Sequence, residues 1–210
     1  STLHNTLFPY TTLFRSHVQV IWRDSLIYVV TGWSQNTNVP AVQIYGPALD
    51  LWSVGTPVPN NNTYKAVGAS GTIIGDTIFY YGGASSSGSF SAQYDLRIGV
   101  IDPADPAQRT WLPAVATLRN SYRSGCGTFN GRPFWVCGSA ISYNYNAVAY
   151  NGSGIVPPVA ELAEFNSSNT LIASETDQAI MDIRGIGQTA NGSFHVCGGI
   201  GSGADALDTC

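Results

Sequence analysis

In a chain of 210 residues, 10% charged and 11% aromatic content with 23 Gly and 11 Pro point to a turn-rich, all-β protein and away from a helical one. The net charge of −4 and a single lysine, Lys65, leave no basic footprint, which argues against nucleic-acid binding. No apolar run approaches the roughly 18 residues of a membrane-spanning helix.

Residues 1–16 stand apart from the remainder of the chain. Residues 6–16, TLFPYTTLFRS, resemble the translation of a sequencing-library adapter, so this segment is read as non-native and set aside. The rival reading is a genuine strand or signal remnant, since Leu7-Phe8 and Leu13-Phe14 are apolar. On the first reading the frame opens inside a gene, and any signal peptide would precede this piece.

Four units are expected, over about residues 17–58, 59–115, 116–178 and 179–210. In the first, strands fall at 17–22, 26–32, 41–45 and 51–54, with a turn at Arg23-Asp24. Pro57, Pro59 and Asn60-Asn61-Asn62 form the link to the second unit. There, strands fall at 66–74, 77–81, 94–101 and 110–112. Ser85-Ser86-Ser87-Gly88-Ser89 reads as a flexible loop, and Asp102-Pro103 with Asp105-Pro106 punctuates the turn before Trp111. The third unit opens near Tyr122. Its Asn130-Gly131, set between two apolar runs, is the strongest hairpin signal in the chain and implies a type I′ turn. Residues 142–150, SYNYNAVAY, are expected as its third strand. The pattern then lapses over 151–180, read as an insertion with a short helical turn at 161–165. The fourth unit has strands at 185–190 and 193–198.

Every unit carries one shared design: a tight turn, an apolar strand, then glycine. It appears as RDSLIYVVTGW, GDTIFYYGGA, NGRPFWVCGSA and NGSFHVCGGIG. Aligning the first terminal glycine puts Gly32, Gly82, Gly138 and Gly198 in one slot, about fifty to sixty residues apart, as in a repeat architecture. In that register one face carries Tyr28/Val30, Ile78/Tyr80, Phe134/Val136 and Phe194/Val196. The other carries Val29/Thr31, Phe79/Tyr81, Trp135/Cys137 and His195/Cys197. A strand apolar on both faces must be covered on both. Small sheets stacked face to face around an axis meet that demand, and this is a β-propeller.

These residues resemble the kelch family, whose repeat pairs a double glycine with a downstream aromatic and then a Trp on the outermost strand. The first unit has Gly32-Trp33, Tyr45 and Trp52. The second has Gly82-Gly83, then Ile101-Asp102-Pro103 in place of the aromatic, and Trp111. The third has Gly138-Ser139 and Tyr150 but lacks the Trp, and the fourth ends its match at Gly198-Gly199. The resemblance covers residues 17–210. It implies an all-β fold, a kelch-type β-propeller present as an incomplete arc of about four four-stranded antiparallel blades. Complete rings of this family hold about six or seven blades, so the chain is expected to be part of a larger ring, with sheet edges and a blade face left uncovered.

A basic residue precedes the inner strand in three units: Lys65 in TYKAVG, Arg123 in SYRSGCG and Arg184 in DIRGIG. The kelch resemblance implies that arginines in such places line the ligand face, where they would suit a carboxylate or other anion. The alternative is that each caps a carbonyl or pairs with an acid such as Asp182. The loops after the glycines, at residues 33–36, 85–90 and 142–146, set Trp33, Phe90, Tyr143 and Tyr145 among Asn and Ser, a mixture suited to glycan or peptide contacts or to ordinary turns. Trp33 stands out because a bulky ring replaces the usual second glycine.

No catalytic set, metal site or cofactor is read from the sequence. His195 is expected as a packed strand residue rather than a ligand. Copper galactose oxidases share the kelch propeller but need two Tyr, two His and a Tyr–Cys cross-link, which cannot be assembled here, and no sialidase box is present. Cys126, Cys137, Cys197 and Cys210 leave both packing and pairing open; a Cys126–Cys137 disulfide would be diagonal across its hairpin. Sequons at Asn61, Asn151, Asn166 and Asn191 hint at secretion, although roughly two or three would arise by chance in such a composition. The expected function is a non-catalytic, extracellular or cell-surface binding module for a peptide, glycan or acidic ligand. The alternatives are a piece of a carbohydrate-active propeller enzyme, galactose-oxidase-like or sialic-acid-processing, and a structural or adhesive repeat.

Overall fold

The computed structural model describes residues 19–23, 25–34, 36–86, 90–117, 119–144, 148–150, 161–165, 171–175, 180, 182, 187–190, 193–196 and 199–201. The adapter-like segment, Tyr145, Arg184, Cys197, Gly198 and Cys210 lie outside them. The described residues are all β, without a helix.

The first unit is an antiparallel sheet of β1 (Gln19–Arg23), β2 (Leu26–Val30), β5 (Val42–Gly46) and β6 (Leu51–Gly55) in that order. A small hairpin of β3 (Trp33–Ser34) and β4 (Thr37–Asn38) stands on its loop. The second unit repeats the meander with β7 (Ser70–Ile74), β8 (Thr77–Tyr81), β9 (Asp95–Asp102) and β10 (Asp105–Trp111), and β11 (Val115–Ala116) adds to β9. The third unit contains β12 (Gly125–Phe129), β13 (Arg132–Val136), β14 (Glu161–Phe165) and β15 (Leu171–Glu175); β16 (Gly187–Ala190) and β17 (Ser193–Val196) form the hairpin of the fourth. Asn130 and Gly131 both adopt positive φ, 49° and 72°, as a type I′ turn requires.

Two assignments in the third unit change. Residues 161–165 are the third strand, not a helical turn: Trp135 pairs with Ala163, and Ala163 and Phe165, two apart, are buried at 6% and 0% exposure. That alternation has the period of a strand. Within 142–150, expected as the strand, Tyr143 and Ala149 instead bridge to each other, and residues 145–147 lie outside the described residues.

The glycine register also changes. Counted from the starts of the second strands at Leu26, Thr77, Arg132 and Ser193, the equivalent glycines are Gly32, Gly83, Gly138 and Gly199, with φ of 117°, 87°, 89° and 101°. The residue after the glycine makes the same bridge back to the first strand's approach in the last three units: Ala84 to Val67, Ser139 to Tyr122 and Ile200 to Asp182. Units two and four are thus displaced by one residue from an alignment on the first glycine, and such a slip exchanges the two faces of a strand. Tyr28 and Val30 face forward onto Ile78 and Tyr80 of unit two. Tyr81 faces forward onto Trp135 and Phe165 of unit three, with all three ring pairs at centroid distances of 5.3 Å. Phe134 faces forward onto Phe194 at 4.8 Å. Each large side chain so buried contributes on the order of 1.5–3 kcal/mol, and the seams between units are therefore the core.

His195 falls on the forward face of β17 and is exposed, not packed. On the opposite end of the arc, Trp52 and Val54 of β6 remain 40% and 59% exposed on the backward face of unit one.

Candidate functional site

Each second strand runs toward the same end of the stack, where the chain turns beneath the link to the next unit. The approach is close. A Cβ on Gly82 would lie 2.1 Å from the Ser121 carbonyl oxygen, and one on Gly138 would lie 2.7 Å from that of Tyr122. Only glycine fits there, and the turns throw the following loops together. One apolar cluster draws on all four units: Trp33; Val67, Ala84 and Phe90; Tyr122, Ile141 and Tyr143; and Ile200.

On this end the loops of three successive units each contribute one ring to a row. Trp33 meets Phe90 at 4.9 Å with planes tilted by 55°, and Phe90 stacks on Tyr150 at 4.8 Å and 26°. Trp33 and Phe90 are half-buried and Tyr150 is 39% exposed. Phe90 sits at φ 55°, a left-handed conformation unusual for a bulky residue. The buried Ser142 hydroxyl of unit three donates to its carbonyl. Asn38 ties the first two loops: its Nδ2 donates to the Ala84 carbonyl at 3.3 Å and its Oδ1 accepts from the Ser86 N–H at 2.7 Å.

Beneath the row lies a buried charged layer. Arg123, 3% exposed, is sandwiched between Tyr122 and Tyr143 at 4.9 and 4.8 Å, and its Nη1 donates to Asp182 Oδ2 at 3.0 Å. Asp182 belongs to the fourth unit, so the pair spans a seam. Burial pushes the phenol pKa of both tyrosines well above the ordinary value, and the adjacent guanidinium pulls them partly back.

The sequence candidates separate in space. Trp33 is in the ring row, and Arg123 and Tyr143 lie below it. Lys65 does not share the place of Arg123. It is two residues before the bridge residue Val67, in a turn where its N–H donates to the Asn61 carbonyl at 3.0 Å, whereas Arg123 is one residue after Tyr122. The aligned ring of cations is therefore not formed by these two residues. Tyr145 and Arg184 lie outside the described residues.

Phe90 closes one of the candidate loops, whereas Arg97 and Tyr150 were not anticipated as site residues. Arg97 is fully buried on β9 over the Tyr80 ring. Its Nε, Nη1 and Nη2 donate at 2.5 Å to the Thr63 carbonyl, the Gly82 carbonyl and Gln93 Oε1. One side chain thereby fixes the link, the glycine corner and the approach to β9. Desolvation lowers its pKa, against the raising influence of nearby tyrosines and Asp95. The signal was a lone cation in an apolar run, DLRIGVI.

Cys126 and Cys137 are not joined to each other by a disulfide. Cys126 packs into the seam with unit two and donates to the Gly71 carbonyl at 3.0 Å, while Cys137 packs against Ile180, so the two belong to different clusters.

No family model matches the chain, and no curated protein matches it in sequence. Among solved structures it is similar to YjhT, with a TM-score of 0.71 and 15% sequence identity, over 91% of this chain and 64% of that one. The chain thus spans less than two thirds of that neighbour's length. At this identity the likeness shows the fold alone, and together with the stacked antiparallel sheets it establishes a β-propeller. Among the described residues no helix is long and apolar enough to cross a membrane.

Proposed function

We propose that this chain is part of a kelch-type propeller acting as a non-catalytic binding module, secreted or at the cell surface, that takes a glycan or peptide across the row Trp33–Phe90–Tyr150. The observation that carries this reading is the convergence of one half-exposed ring from each of three successive loops. Rings offer large contact area at low conformational cost, and binding residues concentrate on loops held by a rigid scaffold. The intact Gly82-Gly83 pair followed by Trp111 supports the kelch assignment. An acidic ligand finds less support, because the Arg123 charge is already met by Asp182; it would draw on Lys65 and Arg184. A carbohydrate-active enzyme on this scaffold would need an acid or base reachable from the row, and Asp182 is 2% exposed and held by Arg123.

The test is a glycan and peptide array probed with the wild-type chain, followed by titration of each hit against Trp33→Ala and Tyr150→Ala. Losing a stacking anchor weakens binding by roughly tenfold or more. Hits that bind both variants with unchanged affinity overturn the reading. Because Tyr150 is partly exposed, its truncation keeps the test valid should Trp33→Ala disturb the fold.

A further inference from the structure

The sequons are the sequence feature that the ligand site leaves unused, and one of the four, Asn61-Asn62-Thr63, is fully described. It forms the link between the first two units, and all three residues are exposed. The link is ordered by its own hydrogen bonds: the Asn61 N–H donates to the Pro59 carbonyl at 2.8 Å, and the Tyr64 and Lys65 N–H groups donate to the Asn61 carbonyl at 3.3 and 3.0 Å. The neighbouring unit pins it from below. Gln93 Nε2 donates to the Asn62 carbonyl and Arg97 Nε to that of Thr63.

Within this frame the carboxamide of Asn61 has its two ends assigned. Oδ1 accepts the Thr63 N–H at 3.0 Å and the Tyr64 N–H at 3.3 Å, which turns the side chain toward the third residue of its own sequon. Nδ2, the reactive atom, makes no hydrogen bond among the described residues, and Asn61 is exposed. Exposed carboxamide, Thr at the third position and a residue other than Pro between them are the requirements for an N-glycan acceptor.

We infer that Asn61 is an N-glycosylation site, carrying an oligosaccharide at the rim of the propeller end that bears the ring row. In the transfer, Asn61 Nδ2 bonds to the anomeric carbon of a lipid-diphosphate-linked oligosaccharide. The bond from that carbon to the phosphate oxygen breaks, the lipid diphosphate leaves with the electron pair, and one amide proton passes to solvent. No contact of Asn61 with the core is lost on modification, so the glycan is compatible with the folded protein. Modification of Asn61 is independent of what the ring row binds.

The experiment is to secrete the full 210-residue chain from a eukaryotic host behind a cleavable leader and map its glycopeptides by mass spectrometry. Enzymatic glycan removal in heavy-oxygen water marks each formerly occupied Asn as a labelled Asp. The peptide spanning Asn61 is expected to carry glycan on most molecules. Asn61→Gln and Thr63→Ala should abolish that modification with the fold unchanged by circular dichroism, and Thr63→Ser should restore it. A folded, secreted chain whose Asn61 peptide is unmodified overturns the inference, including the case where Asn151, Asn166 or Asn191 is occupied instead.

Discussion

Removing the carboxylate from the Arg123–Asp182 pair asks directly how unit four is held to unit three. Both side chains are 2% exposed and meet at 3.0 Å, so in Asp182→Ala the guanidinium keeps its place between Tyr122 and Tyr143 with its counter-charge gone. Breaking a buried pair on one side costs about 3–5 kcal/mol, because the remaining charge stays desolvated. For a chain of this size that corresponds to a fall in Tm of roughly 6–20 °C. The two rings flank Arg123 with and without the carboxylate, so their contacts largely cancel from the difference. Arg123→Met in the Asp182→Ala background removes the stranded charge and fills the slot between the rings. It should recover at least half of the lost stability, since an apolar replacement of a buried pair is often nearly neutral. Urea unfolding of the four proteins, followed by tryptophan fluorescence, gives the coupling energy by a double-mutant cycle. A loss below about 1 kcal/mol in Asp182→Ala, or additivity of the two substitutions, would refute the pairing and its burial.

Two further outcomes are expected at the seams. Gly82→Ala drives a Cβ to within 2.1 Å of the Ser121 carbonyl oxygen, whereas Gly75→Ala, at φ 55°, meets nothing within 4 Å. The second should cost only the backbone term of about 1–2 kcal/mol and the first several times more, read from urea midpoints; equal losses would contradict the close approach at the glycine corner. Burial pushes the Cys126 thiol up to about 12 from an ordinary 9.0. The folded chain keeps that proton after the unfolded chain has released it, so the contribution is intact below pH 9 and lost as pH rises from about 9 to about 12. The urea midpoint should therefore fall more steeply over that window in wild type than in Cys126→Ala, and native protein at pH 8 should resist thiol labelling at the Cys126 peptide. Labelling as fast as in urea would contradict the burial.

Much of the fold was legible because its signals are local. Asn130-Gly131 fixed a hairpin, and strands apolar on both faces demanded covering sheets. The register was not legible from the glycines, because Gly82-Gly83 and Gly198-Gly199 each offer two choices, and the choice decides which face of the strand looks forward. Distance from the preceding strand settles it, since every second strand starts three positions after the first strand of its unit ends. The strand at Glu161–Phe165 was hidden because ELAEF suits a helical turn as well as a strand, and only pairing with Trp135 distinguishes them. At the candidate site, Trp33 was conspicuous as a ring in a glycine position. Phe90 was visible only as the end of a candidate loop and Tyr150 only as a kelch-pattern aromatic, because their meeting depends on loops of three units converging. The proposed ring of cations failed for the reason the register did. Lys65 and Arg123 sit at similar distances from a glycine but at different distances from the bridge that fixes the inner strand. Asp182, named only as an alternative partner, turned out to hold Arg123.

The most direct measurement is the set of nuclear Overhauser contacts made by the Trp135 ring in the folded chain. Forward-facing Tyr81 at 5.3 Å and Phe165 at 5.3 Å, with the indole N–H on the Ser70 carbonyl at 2.9 Å, predict cross-peaks from Trp135 to the Tyr81 and Phe165 rings. Tyr80 should instead give its contacts to Trp111 in its own unit, at 5.8 Å. Cross-peaks from Trp135 to Tyr80 with none to Tyr81 would reverse the faces of the second unit and contradict the stacking of the units.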